Sequence, residues 1–225
     1  MSGEWKKLVS WKNSMAIIVP AILETTKEAF LQKLSLVTKI PGVDRVQVDF
    51  GDGIFIPTKL LGPAEIDGLN PAIVWEAHLM VQEPEDFLDY QICGFKVVVV
   101  HYEAFPSAAS LKAALDKIKS MGFKSGVAIN PSTKINVLTD IFADQYLIMS
   151  VVPGKQGQGF IEKTTERIKE LRNLLPNAII EVDGGINMGN IKAVAEAGAN
   201  LIVAGSAIVG NGSPADNYEK LKQIL

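Results

Sequence analysis

Two aspartates and the chain's two histidines carry most of the chemistry this sequence offers, and each lies toward the end of a short β-rich run. Asp49 falls in Arg45–Gly51, His78 in Val74–Val81, His101 in Val97–Glu103 and Asp183 in Ala178–Ile186. A pair of carboxylates can take a proton from one side of a substrate and return it from the other. Carboxylates with an imidazole can also hold a divalent cation. Strand alternation puts Gln47 on the same side as Asp49, and Glu181 on the same side as Asp183. Carboxylates enclosed by a fold are costly unless paired, hydrogen-bonded or bound to metal. A single strand-end Asp more often anchors a loop or caps a helix, and a single His is more often structural. Four such residues at strand ends favour a shared site.

The glycines point to an anion. Val182-Asp183-Gly184-Gly185-Ile186 and Ala204-Gly205-Ser206 lie on the last two runs. Backbone amides there can surround a phosphate because no side chain holds the oxyanion away. A third loop, Pro153-Gly154-Lys155-Gln156-Gly157-Gln158-Gly159, has the composition of a mobile lid, and closing such a lid would exclude water.

The elements that must position these groups alternate along the chain. Besides the runs above, β-rich segments occur at Ala16–Leu23, Lys124–Asn130, Gln145–Val152 and Leu201–Ile208. Segments with helical spacing lie between them, at Thr26–Lys39, Ser107–Met121, Ile161–Leu175 and Met188–Ala197. Thr25–Thr26 and Asn187 are placed as amino-terminal caps. Val97-Val98-Val99-Val100 is apolar on both faces, as a parallel strand covered by helices requires. Eight such strands predict an α/β fold, a single (β/α)8 TIM barrel with its chemistry at the carboxyl ends of the strands. The expected organisation is a short amino-terminal extension over 1–15, folding as an amphipathic helix, and a barrel domain over 16–225.

Composition narrows the partners. The chain has 225 residues with 22 basic and 25 acidic side chains, and no Lys/Arg stripe that could neutralise nucleic-acid phosphates. No run of eighteen apolar residues is present, so no ordinary membrane helix is expected. Met1–Met15 has no continuous apolar stretch of the kind a secretory signal needs, which makes the cytoplasm the expected compartment. The lone Cys93 forms no disulfide framework and is expected as a buried, inert thiol.

At these residues the sequence resembles the ribulose-phosphate 3-epimerase family. The likeness is carried by Val19-Pro20-Ala21-Ile22-Leu23, Val48-Asp49-Phe50-Gly51-Asp52-Gly53, His78-Leu79-Met80-Val81, His101-Tyr102-Glu103-Ala104, Met149-Ser150-Val151, Val182-Asp183-Gly184-Gly185-Ile186 and Gly205-Ser206-Ala207-Ile208. The resemblance implies interconversion of D-ribulose 5-phosphate and D-xylulose 5-phosphate, an isomerase reaction of the pentose phosphate pathway. It implies Asp49 and Asp183 as the acid/base pair, and a divalent metal (zinc, iron or manganese) held by Asp49, His78, Asp183 and position 47. It also implies Gly154, Gly157, Gly184, Gly185, Gly205 and Ser206 around the substrate phosphate, Met80 and Met149 lining the pocket, and a homo-oligomer.

Several positions depart from the family pattern. Gln47 stands where the family has histidine, and an amide oxygen is a poor zinc ligand beside imidazole. Gln47 is therefore at best a weak fourth ligand. Ala21 stands for a serine, Gly51 for a methionine lining the site, Ile54 for a histidine, and Lys155 and Gln156 for Phe and Gly. The alternatives are an epimerase-like barrel acting on another ketose phosphate and a catalytically silent phosphosugar-binding protein. A decarboxylase or aldolase is disfavoured, because His78-Leu79-Met80-Val81 contains no lysine.

Overall fold

The computed structural model describes residues 16–66, 68–89, 94–154 and 158–225. The expected helix over 1–15, Cys93, and lid residues Lys155, Gln156 and Gly157 lie outside the described residues.

Eight strands form a closed parallel barrel in sequence order. They are β1 (Ile17–Ile22), β2 (Arg45–Gly51), β3 (Val74–Met80), β4 (Phe95–His101), β5 (Lys124–Ile129), β6 (Gln145–Met149), β7 (Ile180–Asp183) and β8 (Leu201–Ala204). Helices α1 (Lys27–Val37), α2 (Pro84–Asp89), α3 (Ala108–Ser120), α4 (Thr164–Leu174), α5 (Ile191–Glu196), α6 (Ser206–Val209) and α7 (Pro214–Ile224) lie among them. The barrel closes where β1 pairs with β8, with Ile17 beside Leu201 and Pro20 beside Ala204.

Alternation sorts each strand between two apolar regions. Val98 and Val100 face outward with Val46, Val48 and Phe50, packed against Phe30 and Leu34 of α1 and Leu111, Leu115 and Ile118 of α3. Val97 and Val99 turn inward with Ala128, Leu147 and Met149. Val19, Ala21, Leu201 and Val203 form a separate inner cluster. This double burial is why the run of four valines is continuous rather than alternating.

The helices start where side chains satisfy their first free amides. Thr26 Oγ1 accepts from Ala29 N at 3.3 Å. Ser107 Oγ accepts from Ser110 N at 3.1 Å, and Ser110 Oγ returns to Ser107 N at 3.2 Å. Asn187 behaves differently from expectation. Its Oδ1 accepts from Gly189 N at 2.8 Å in a local turn, and α5 begins only after Asn190. Such side-chain-to-backbone closure competes with helix initiation. The last two strands are also shorter than their apolar patterns. β7 stops at Asp183 because Gly184 and Gly185 have φ values of 116° and 64°, which break the pleat. β8 stops at Ala204, and Ser206–Val209 coils into α6.

Beneath the mouth, the interior holds a polar layer among the valines. Arg45, Glu76, Gln145 and Glu181 are all buried. Arg45 is ion-paired with Glu76 and donates to Gln145 Oε1 at 2.5 Å. Gln145 Nε2 donates to Glu76 Oε2 at 2.9 Å and Glu181 Oε2 at 2.8 Å. Burial alone would raise the Glu76 pKa, but the Arg45 charge together with hydrogen bonds from Glu181, Gln145 and Arg45 outweighs it and lowers the value. Glu181 is driven the other way, first by burial and then by the charge of Glu76, so it is held as the neutral acid. One cation thus serves one carboxylate, and the second carboxyl stays protonated. Removing one partner of a buried ion pair is strongly destabilising. We therefore expect Arg45→Leu to lower unfolding free energy by about 3–5 kcal/mol, read from urea denaturation. A loss below about 1 kcal/mol, the scale of an exposed ion pair, would contradict this role.

Candidate functional site

The upper ends of β2, β3, β4 and β7 bring their polar residues into one hydrogen-bonded cluster. In register, Asp49 lies beside His78 across the β2–β3 pair. Alternation places Gln47 on the same inner face, two residues below Asp49. Gln47 Nε2 donates to Asp49 Oδ1 at 2.7 Å and to Asp183 Oδ2 at 3.0 Å. His78 Nδ1 lies 2.9 Å from Asp49 Oδ1 and 3.7 Å from Asp183 Oδ2. Two carboxylates from remote segments therefore meet over a single amide and a single imidazole.

A chain of polar contacts extends from the cluster toward the surface. His78 Nε2 lies 3.0 Å from His101 Nε2, and the two rings stack with centroids 5.1 Å apart. His101 Nδ1 faces Glu103 Oε2 at 3.3 Å. Glu103 Oε1 in turn accepts from Asn130 N at 2.8 Å and from the Thr133 hydroxyl. Only one proton fits between two facing Nε2 atoms. Burial pushes the His101 pKa down to about 4, so this ring is neutral near pH 7 and carries its hydrogen on Nδ1 toward Glu103. Its bare Nε2 then accepts from His78 Nε2–H. Burial opposes charge on His78 as well, but the hydrogen bond and charge of Asp49, with the charges of Asp183 and Glu76, together raise the pKa. The ring of His78 is thereby fixed with Nδ1 toward the two aspartates, the kind of outer support that orients metal-ligating imidazoles.

Asp183 is set by the turn that follows it. Ser150 N donates to Asp183 O at 2.7 Å, and Ser150 Oγ bonds to Asp183 O at 2.8 Å and Gly184 O at 2.5 Å. A Cβ on Gly185 would come within 2.7 Å of Phe160 N and 2.9 Å of Gln158 O, so only glycine allows the loop to pass this close. Burial, reinforced by the Asp49 charge, raises the Asp183 pKa to about 7 despite His78 and Gln47. A carboxyl poised there can both give and take a proton near neutrality.

Above the cluster lies a cavity, partly open to solvent, lined by Asp49, Asp183, Met80, Met149, Gly154, Gly184, Gly185, Gly205 and Ser206. The sequence-derived residues within the described chain therefore gather at one mouth. His78 supports that mouth from below, fully buried. Ala21 also lines it, whereas Ile54 is 75% exposed and is not among the lining residues. At Gly51, an added Cβ would meet Ile56 Cδ1 at 2.4 Å, so Ile56 packs tightly against this position. Asp52 anchors the loop, accepting from Ile54 N and Phe55 N at 2.8 Å each and from Gln82 N at 2.6 Å. That anchoring helps lay the Phe55 ring near His101, with centroids 4.8 Å apart.

The motifs contain Glu103 and Ser150 without giving either a role, and the sequence gives no sign of Arg167, which donates to Asn130 O at 3.0 Å and Thr133 O at 2.8 Å. For Glu103 a signal existed, since it lies two residues beyond a strand-end histidine. For Arg167, on α4, none did.

The Ribulose-phosphate 3 epimerase family matches residues 17–209. A curated relative from Arabidopsis thaliana, Ribulose-5-phosphate-3-epimerase, chloroplastic, is 37% identical over 94% of this chain and 78% of its own length. Ribulose-phosphate 3-epimerase of Bacillus subtilis is 35% identical over 87% of this chain and 93% of its own length. Among solved structures, 3-hexulose-6-phosphate synthase from Salmonella typhimurium superposes with a TM-score of 0.70 at 19% identity, covering 92% of this chain and 97% of that one. Orotidine 5'-phosphate decarboxylase from Pyrococcus horikoshii superposes with a TM-score of 0.64 at 17% identity, covering 92% and 98% respectively. These two likenesses concern the barrel alone.

The raised Asp183 pKa has a measurable sign. Between the ordinary value of 3.8 and about 7, folded protein holds a proton that unfolded chain has lost. Stability contributed at this group therefore falls as pH rises through that window. In metal-free protein, the stability of Asp183→Asn relative to wild type should increase from pH 4.5 to pH 7.5 in urea melts. A difference that stays flat across that range would refute the shift.

Proposed function

This chain belongs to the ribulose-phosphate 3-epimerase family, and from that footing we propose that it interconverts D-ribulose 5-phosphate and D-xylulose 5-phosphate. The observation carrying this reading is the meeting of Asp49 and Asp183 at the floor of a glycine-rimmed cavity, bridged by one amide nitrogen at 2.7 and 3.0 Å. Inversion at C3 requires loss of a proton from one face and its return to the other. One aspartate takes the C3 proton as the C–H electron pair moves into the enediolate. The other, as the acid, returns a proton to C3 from the opposite side.

Backbone amides near Gly184, Gly185, Gly205 and Ser206 receive the phosphate, with Gly154 lining the same cavity. Met80 and Met149 give the sugar an apolar wall, which keeps water from competing for the proton. Asp49, His78 and Asp183 offer ligand atoms that all lie within 4.8 Å of one another, a donor set that fits a divalent cation. When bound there, such an ion supplies positive charge against the developing enediolate oxygens. Gln47, whose Oε1 is buried without a hydrogen-bond partner, is the fourth side chain in reach. The working form is proposed as a cytoplasmic homo-oligomer of the barrel.

A second substrate, another ketose phosphate, is favoured by the small Ala21 side chain that lines the cavity, and a panel of pentulose and hexulose phosphates separates the two.

Purified protein supplied with ribulose 5-phosphate and a divalent metal should form xylulose 5-phosphate, with deuterium entering C3 in D2O. Asp49→Asn and Asp183→Asn should each lower turnover by about 10³-fold. Ligand-induced melting shifts without turnover on any sugar phosphate would overturn catalysis and leave a phosphosugar-binding protein.

A further inference from the structure

We infer that the Gln47 side-chain amide occupies a cation's role between Asp49 and Asp183, and that a metal ion must turn this amide over in order to bind. Gln47 is completely buried. Its Nε2 lies 2.7 Å from Asp49 Oδ1, 3.0 Å from Asp183 Oδ2 and 3.4 Å from His78 Nδ1. One nitrogen thus faces all three residues that could ligate an ion. Its two hydrogens are divided between the two carboxylates, and their partial positive charge offsets some of the repulsion that holds like charges apart. At the other end of the same amide, Oε1 is buried with no hydrogen-bond partner.

Both ends have one cause. Reversed, the amide would aim an oxygen at two carboxylate oxygens, so without a cation the carboxylates dictate the orientation and the orphaned Oε1 is the consequence. A divalent ion inverts that preference. A half-turn about the Cγ–Cδ bond exchanges oxygen and nitrogen within nearly the same volume and presents Oε1 as a neutral fourth ligand. Entry of the ion must then break two hydrogen bonds to carboxylates, which a side chain that ligates without turning would not require. The amide therefore lets this site exist intact without metal while weakening its hold on one. This inference rests on the proposed metal cluster, and it does not depend on which sugar is turned over.

Chelator-treated full-length protein can be titrated with Co(II) by visible absorption and with Zn(II) by calorimetry, with melting curves taken with and without metal. Gln47→Glu is nearly isosteric, removes the donor and adds a carboxylate. It should bind both ions at least tenfold more tightly than wild type, melt about 4 °C or more lower when metal-free, and recover with metal. Gln47→His should also bind at least tenfold more tightly. If metal-free Gln47→Glu does not fold, Gln47→Met, of similar length without a donor, takes over the melting comparison and should also melt lower. Wild type binding metal as tightly as Gln47→His, or a metal-free donor-less variant melting at the wild-type temperature, would overturn the inference. Turnover assayed on the same samples reads the epimerase proposal separately, since its absence leaves the metal and melting comparisons intact.

Discussion

Closing an eight-stranded parallel sheet on itself creates a largely buried interior, and polar groups placed there are costly unless other side chains satisfy them. That constraint governs this protein. Alternate residues of every strand point inward. Most are small or branched and apolar, but β2, β3, β4, β6 and β7 also send in Arg45, Gln47, Asp49, Glu76, His78, His101, Gln145, Glu181 and Asp183. In such surroundings a lone charge is untenable. The charges consequently arrive in sets, and the geometry of each set follows from what neutralises what.

Two sets are stacked along the barrel axis, and they solve the problem differently. In the lower one a true cation, Arg45, pairs with Glu76, while Glu181 avoids charge by keeping its proton. The upper one has no permanent cation. Its carboxylates rely on the Gln47 amide and on His78, whose charge is favoured by Asp49. The lower set is thus closed and structural, whereas the upper set is short of positive charge and opens onto a cavity. A shortage of that kind is what a metal ion or a charge-developing substrate can relieve.

Support for the upper set comes from outside it. Glu103 fixes the tautomer of His101, and His101 then fixes the ring of His78, so a residue at 22% exposure orients one that is fully buried. Ser150 holds the carbonyls on either side of the turn after Asp183. These contacts run between neighbouring strands and loops, and they hold the two aspartates on strands, the rigid elements of the barrel.

Much of this was legible in the chain itself. Strand number and order, the inward pairing of Gln47 with Asp49 and of Glu181 with Asp183, and the family resemblance all depend on local periodicity and on short ordered motifs. Periodicity is a property of neighbours, so sequence determines it directly. Strand ends were less legible, since β7 and β8 stop where backbone dihedrals at Gly184 and Gly185, or the coil of α6, interrupt an apolar pattern that continues past them. Which amide atom of Gln47 and which ring nitrogen of His78 face the carboxylates, the service of Glu103 to His101, and the closeness of Ile56 to Gly51 were decided only by tertiary structure. Those relations join residues far apart in the chain, and their directions follow from burial and from which partner is already neutralised, quantities that no single stretch of sequence contains.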